Sequence, residues 1–107
     1  MHEYVKFVYR ITKQFPKDEL YGVVSQVRRA VLSITLNYIE GYARFKTGNK
    51  IQFYETSYGS LKETGYLIYF SYTEKYLSET DYKRAQKLSD EIGKMLWSEI
   101  TAKKSEK

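Results

Sequence analysis

Gln26, Arg29, Ser33, Asn37, Glu40 and Arg44 follow one another at steps of 3, 4, 4, 3 and 4 residues. At helical spacing such steps place all six side chains on one face. Three kinds of chemistry fit them. Glu40, together with Glu63 farther along, would make a carboxylate pair for general acid–base work. Arg28, Arg29 and Arg44 would contact phosphates. The same side chains would equally form a polar network that sets register between helices or subunits. Residue types leave the three open, because networks and catalytic sites draw on the same groups, and a catalytic assignment needs geometry.

A second polar flank runs through Thr56, Gly59, Ser60, Glu63 and Tyr66. The two flanks are expected to meet, joining Gln26, Arg29, Ser33, Asn37, Glu40, Ser60 and Glu63 in one network. Arg29 and Arg44 would pair with Glu40 and Glu63, and Asn37 would bond a serine or a backbone carbonyl. Gly59 inside a helix costs about 1 kcal/mol relative to alanine, so it is read as room for another helix or a long side chain.

Other chemistries lose their usual ligands. The 107 residues contain no cysteine and one histidine, His2, close to the first residue. That removes disulfides, thiolate metal sites, cysteine nucleophiles and histidine-based proton transfer. No glycine-rich phosphate loop or nucleophile elbow is present. No cofactor, metal or enzymatic activity is expected.

Net charge is +5, and it is unevenly spread. Residues 1–46 carry eight basic and four acidic side chains, a net +4, which favours an anionic partner such as RNA or DNA. Lys6, Arg10, Lys13 and Lys17 step by 4, 3 and 4 and form a stripe. With Arg28, Arg29, Arg44, Lys46 and Lys50 they are the candidate nucleic-acid contacts; the bland alternative is a solvated helix face. No run of about 18 apolar residues exists, so no membrane span is expected. The opening MHEYVKFVYR is too charged for a signal peptide, and a cytoplasmic location is the expectation.

The elements that position these residues follow from the breaks. The single proline, Pro16, must interrupt a helix interior. Gly48 fits a left-handed cap, and Ser78 with Asp81 resembles a capping box. Between the breaks the spacing predicts helices over 3–14, 18–46, 49–76 and 79–103, with the charged KKSEK tail frayed. Tyr4, Val8, Ile11 and Phe15 mark the first seam. Leu20, Val24, Val27, Val31, Ile34 and Tyr38 mark the second. Ile51, Tyr54, Tyr58, Leu61, Gly65, Ile68 and Tyr72 mark the third, and Tyr82, Ala85, Leu88, Ile92, Leu96 and Ile100 the fourth. Steps of 3 and 4 with short connections predict one all-α domain, an up-down-up-down antiparallel four-helix bundle with a short first helix. At ~1.5 Å per residue the first helix reaches ~18 Å and the second ~40 Å, which leaves a groove beside the first.

Tyr66, Tyr69, Phe70 and Tyr76 crowd one segment, and tyrosine suits interfaces. They are the candidate oligomer contacts, with a bundle edge or base stacking as alternatives. Trp97 is assigned to core or interface. A chain this short gains from burying further surface in a homo-oligomer.

Phe15-Pro16, Ser25-Gln26-x-Arg28-Arg29-Ala30, Ser33-Ile34, Asn37 with Glu40-Gly41, and Gly59-Ser60-Leu61 with Glu63 carry a resemblance over nearly the whole chain. The chain resembles the bacterial four-helix-bundle family encoded in intervening sequences of large-subunit ribosomal RNA genes. Relatives of that family include the accessory variability protein of diversity-generating retroelements. The resemblance implies a ring-like homopentamer. It also implies nucleic-acid binding of the kind the more basic retroelement relatives show beside their reverse transcriptase. It supplies no catalytic residues. Where the family often reads Ser-Ile-Pro-Ser-Asn, this chain has Ser33-Ile34-Thr35-Leu36-Asn37, so a proline kink is not expected in the second helix. Tyr58 stands where an arginine is frequent. The runner-up function is a scaffold that holds another protein in the groove.

Overall fold

The apolar seams fold as their spacing predicts. The computed structural model, which describes residues 1–106, is an all-α four-helix bundle of 46 × 24 × 18 Å. Its helices are α1 (His2–Thr12), α2 (Ser25–Tyr42), α3 (Thr47–Thr73) and α4 (Glu79–Ser105). Lys107, the last residue of the charged tail, lies outside the described residues. Neighbours run antiparallel, since Ile34 meets Ser57, Gly41 meets Tyr54, and Glu55 meets Lys104.

Val8, Ile11, Val27, Val31, Ile34, Leu61, Ile68, Leu88 and Leu96 are buried in one contiguous core. Each such side chain stabilises the fold by about 1.5–3 kcal/mol relative to exposure. Leu20 departs from its seam and is exposed. The reason is local. The second helix does not run unbroken over 18–46. It begins with a 3-10 turn at Lys17–Glu19, and a kink follows within Leu20–Val24, where Gly22 leaves helical geometry at φ −107°, ψ −113°. The kink at Gly22 breaks the helical register, so the face before Ser25 is not continuous with the one after it. Regular helix then covers 18 residues, about 27 Å rather than 40 Å.

The turns also differ from expectation in one place. Gly48 sits inside the first turn of α3, and the left-handed residue is Lys75, at φ 65°. It closes α3 with bonds from Tyr76 N to Ser71 O and from Lys75 N to Tyr72 O, both 2.9 Å, the Schellman pattern. Ser78 caps α4 as the sequence implies, accepting from Asp81 N at 3.1 Å. The tail is helical to Ser105, and Lys103 pairs with Glu106 at 3.2 Å.

Close packing of α2 on α3 rests on small side chains. Ser57, Thr64 and Ser71, seven residues apart, are buried, and their hydroxyls donate to the carbonyls of Ile34, Ser60 and Leu67. Hydroxyls paired in this way can be buried without loss, and they leave no bulk between the helices. Gly41 completes the seam against the ring of Tyr54.

Candidate nucleic-acid interface and polar network

The basic stripe of α1 lies along α4. Lys6, Arg10 and Lys13 line a hollow of about 660 Å³ with Glu3, Phe7, Asp81 and Arg84. Arg84 is a member that the sequence reading missed. Its signal is topological: the Ser78 cap starts α4 so that its first turns lie beside α1. The hollow is not purely positive. Arg84 bonds Glu3 at 2.6 Å, and Arg10 lies 4.0 Å from Asp81 while covering the Phe7 ring at 5.0 Å. Lys17 is exposed in the turn before α2, and Lys46 is exposed after it, so α2 separates them.

Three of the other candidate cations are occupied within the fold. Arg28 donates from Nε to Thr12 Oγ1 at 2.9 Å and from Nη2 to the Tyr9 carbonyl at 3.3 Å, with its guanidinium 4.7 Å from the Tyr9 ring centre. It clasps α1 to α2. Lys50 donates to the carbonyls of Gly41 and Tyr42 at 3.3 and 2.9 Å, so it caps the end of α2. Arg44 pairs with Glu40 at 2.8 Å and covers the Phe53 ring at 4.7 Å. Arg29 is exposed and has no ion-pair partner among the described residues.

The two polar flanks meet at one point. Ser33 Oγ and Ser60 Oγ are 2.9 Å apart, and Asn37 Nδ2 donates to Ser33 O and Oγ at 2.8 and 2.9 Å. Gln26 is exposed at the edge. Glu63 is exposed and, among the described residues, unpaired, so the expected Arg29–Glu63 pair does not form inside the chain.

The aromatic segment divides by face. Tyr66 and Phe70 point outward, the former 65% exposed. Tyr69 leans on Tyr82, with ring centres 6.4 Å apart. Tyr76 serves the fold: its hydroxyl donates to Glu19 at 2.8 Å and its ring packs on Phe15 at 5.4 Å. Trp97 is not in the core. It is 63% exposed and, with Tyr58 6.1 Å away, lines a groove of about 530 Å³ between α3 and α4. Tyr38, on the half of α2 beyond the Arg28 clasp to α1, stacks on Tyr54 at 5.2 Å and faces Glu99. Burial, then the facing carboxylate, pushes the Tyr38 phenol up to about 12. Burial also raises Tyr4 well above the ordinary tyrosine range, partly offset by its bond with Ser89.

The family model described as 23S rRNA-intervening sequence protein matches residues 1–98. No curated protein matches the chain.

Proposed function

The chain belongs to the 23S rRNA-intervening sequence protein family, and on that premise we propose a non-enzymatic homo-oligomer that binds RNA or DNA weakly and mostly without regard to sequence. The observation that carries this reading is the hollow where Lys6, Arg10 and Lys13 of α1 meet Arg84 of α4. Phosphate contacts of this type position a nucleic acid without reading its bases. Four cations against Glu3 and Asp81 make one subunit a weak binder. A ring of copies, pentameric as the resemblance implies, repeats the hollow and gains by effective concentration. A cytoplasmic site of action goes with such a ligand. Among the described residues no helix is long and apolar enough to cross a membrane.

Titrating labelled RNA and DNA at about 50 and about 200 mM salt tests the reading. With three to four phosphates neutralised per site, affinity should drop roughly 50-fold between the two. Replacing Lys6, Arg10, Lys13 and Lys17 together by glutamine should abolish most of the binding. Absence of binding at the lower salt would remove the proposal.

The groove at Trp97 favours a second reading, a scaffold for another protein. An exposed tryptophan beside a tyrosine suits an interface anchor. That reading expects partner capture that Trp97→Ala abolishes, with no salt-sensitive affinity for nucleic acid.

A further inference from the structure

Trp97 is the single tryptophan of the chain, and it stands exposed on α4. A side chain of that size is mostly buried in a folded protein, so its exposure calls for a ligand. Tyr58 of α3 backs it, with ring planes tilted by 51°, so the two rings open as a wedge instead of stacking on each other. The Lys62 ammonium covers the Tyr58 ring at 5.1 Å from its centre. Among the described residues no cation covers the indole of Trp97, and its broad face is free.

Charged side chains surround this ring. On one side of it Tyr58, Lys62, Asp90 and Lys94 line a hollow of about 280 Å³. On the other side the groove with Ile100 and Thr101 ends at Lys104, which Glu55 holds at 3.2 Å. Lys62 and Lys94 are exposed and have no ion-pair partner among the described residues. Lysine and aspartate are depleted at the core of protein contacts, where an aromatic anchor sits, yet here they share one hollow with Trp97. An open aromatic face with free ammonium groups beside it fits a nucleobase better. The base stacks on the ring, and the phosphates beside it meet the cations.

The same helix carries the basic hollow of α1 and α4. At ~1.5 Å per residue Trp97 lies ~20 Å beyond Arg84 along α4. Between them exposed Lys83, Lys87 and Lys94 recur at helical spacing on one face, with Glu91 beside them. We infer that Trp97 is the stacking platform for an unpaired base of single-stranded RNA or DNA. The backbone of that strand follows the lysines of α4 from the hollow, and Lys62 and Lys94 hold the phosphates next to the stacked base. Resting on the nucleic-acid reading above, this names its ligand class. A duplex keeps its bases stacked on one another and offers Trp97 none, so the groove favours the single strand.

A lone tryptophan reports on its own site. The protein is titrated with a labelled single strand of about 12 thymidylates and with a labelled duplex of the same length, at about 50 mM salt. Anisotropy of the label measures binding, and Trp97 emission measures stacking. The strand should quench that emission in step with the rise in anisotropy, and the duplex should leave it unchanged. Trp97→Ala should weaken strand binding about tenfold, and Trp97→Phe, which keeps a ring, should weaken it less. Both variants should bind the duplex as the parent does and keep its helix content by circular dichroism, since the indole is exposed. A bound strand with steady Trp97 emission and equal affinity in Trp97→Ala would overturn the platform and leave the phosphate hollow standing. Equal quenching by the duplex would overturn it too. So would a Trp97→Ala chain that keeps its affinity for the strand but changes its molar mass in light scattering, which would give the groove to a second copy. Absence of binding to strand and duplex alike would sink the nucleic-acid reading itself.

Discussion

At the scale of the residue, direction decides role. Arg28 and Arg29 are neighbours in sequence with the same charge. One turns inward to Thr12 and the Tyr9 carbonyl, and the other faces out. Lys50 likewise spends its ammonium on carbonyls at the end of α2. Nothing in the residue types separates these cases, because an arginine or lysine with a long apolar stem serves a buried clasp and a phosphate equally. Tyr38 gives a prediction at this scale. An unperturbed phenol ionises near pH 10, and Tyr38 in the fold is raised to about 12 by burial and by Glu99. A phenol that holds its proton longer in the folded state stabilises that state below about pH 10. This stabilisation is lost as the pH climbs from about 10 to about 12. Melting temperature should therefore fall over that window, and Tyr38→Phe should flatten the fall. An alkaline slope identical in Tyr38→Phe would exclude Tyr38 as its source.

At the scale of the element, seams were legible and junctions were not. The steps of 3 and 4 placed α3, α4 and the core faces. The kink at Gly22 is not legible in the spacing, because the apolar steps run through it almost unchanged while Leu20 turns outward. The left-handed position fell on Lys75 instead of a glycine, since the Schellman bonds to Ser71 and Tyr72 hold it. Two glycines give opposite predictions. A Cβ on Gly41 would meet Tyr54 Cε1 at 2.7 Å and Phe53 Cβ at 3.1 Å, and neither buried ring nor helix can retreat freely. Gly41→Ala should cost about 1–3 kcal/mol in denaturant unfolding. Gly59 has open space, so Gly59→Ala should add about 1 kcal/mol to α3 in the isolated subunit. Equal shifts in the two variants would mean that helix propensity, and not packing, governs both sites.

At the scale of the whole molecule, the net charge of +5 overstates the attraction any one face offers. In the hollow on α1 and α4, Glu3 holds Arg84 and Asp81 sits near Arg10. The Glu3–Arg84 pair is exposed, and Arg10 reaches half-buried Asp81 only at 4.0 Å, so these pairs contribute little to stability, about 0–1 kcal/mol each. Neutralising the acids in the Glu3→Gln, Asp81→Asn double variant should therefore leave melting almost unchanged. RNA affinity should rise several-fold and fall more steeply with salt. Unchanged affinity would show that the hollow does not meet phosphate. The sequence by itself determined the all-α class, the four helices and the residues of the core, because periodic burial is a local property repeated along the chain. It also carried the family, through short runs such as Ser25-Gln26-x-Arg28-Arg29-Ala30. Only the tertiary structure decided which charges face inward, that α4 lends Arg84 to the stripe of α1, and that Arg29 and Glu63 form no pair within the described residues. Those outcomes depend on how helices distant in sequence are turned about their axes, and no spacing within a single helix records that rotation.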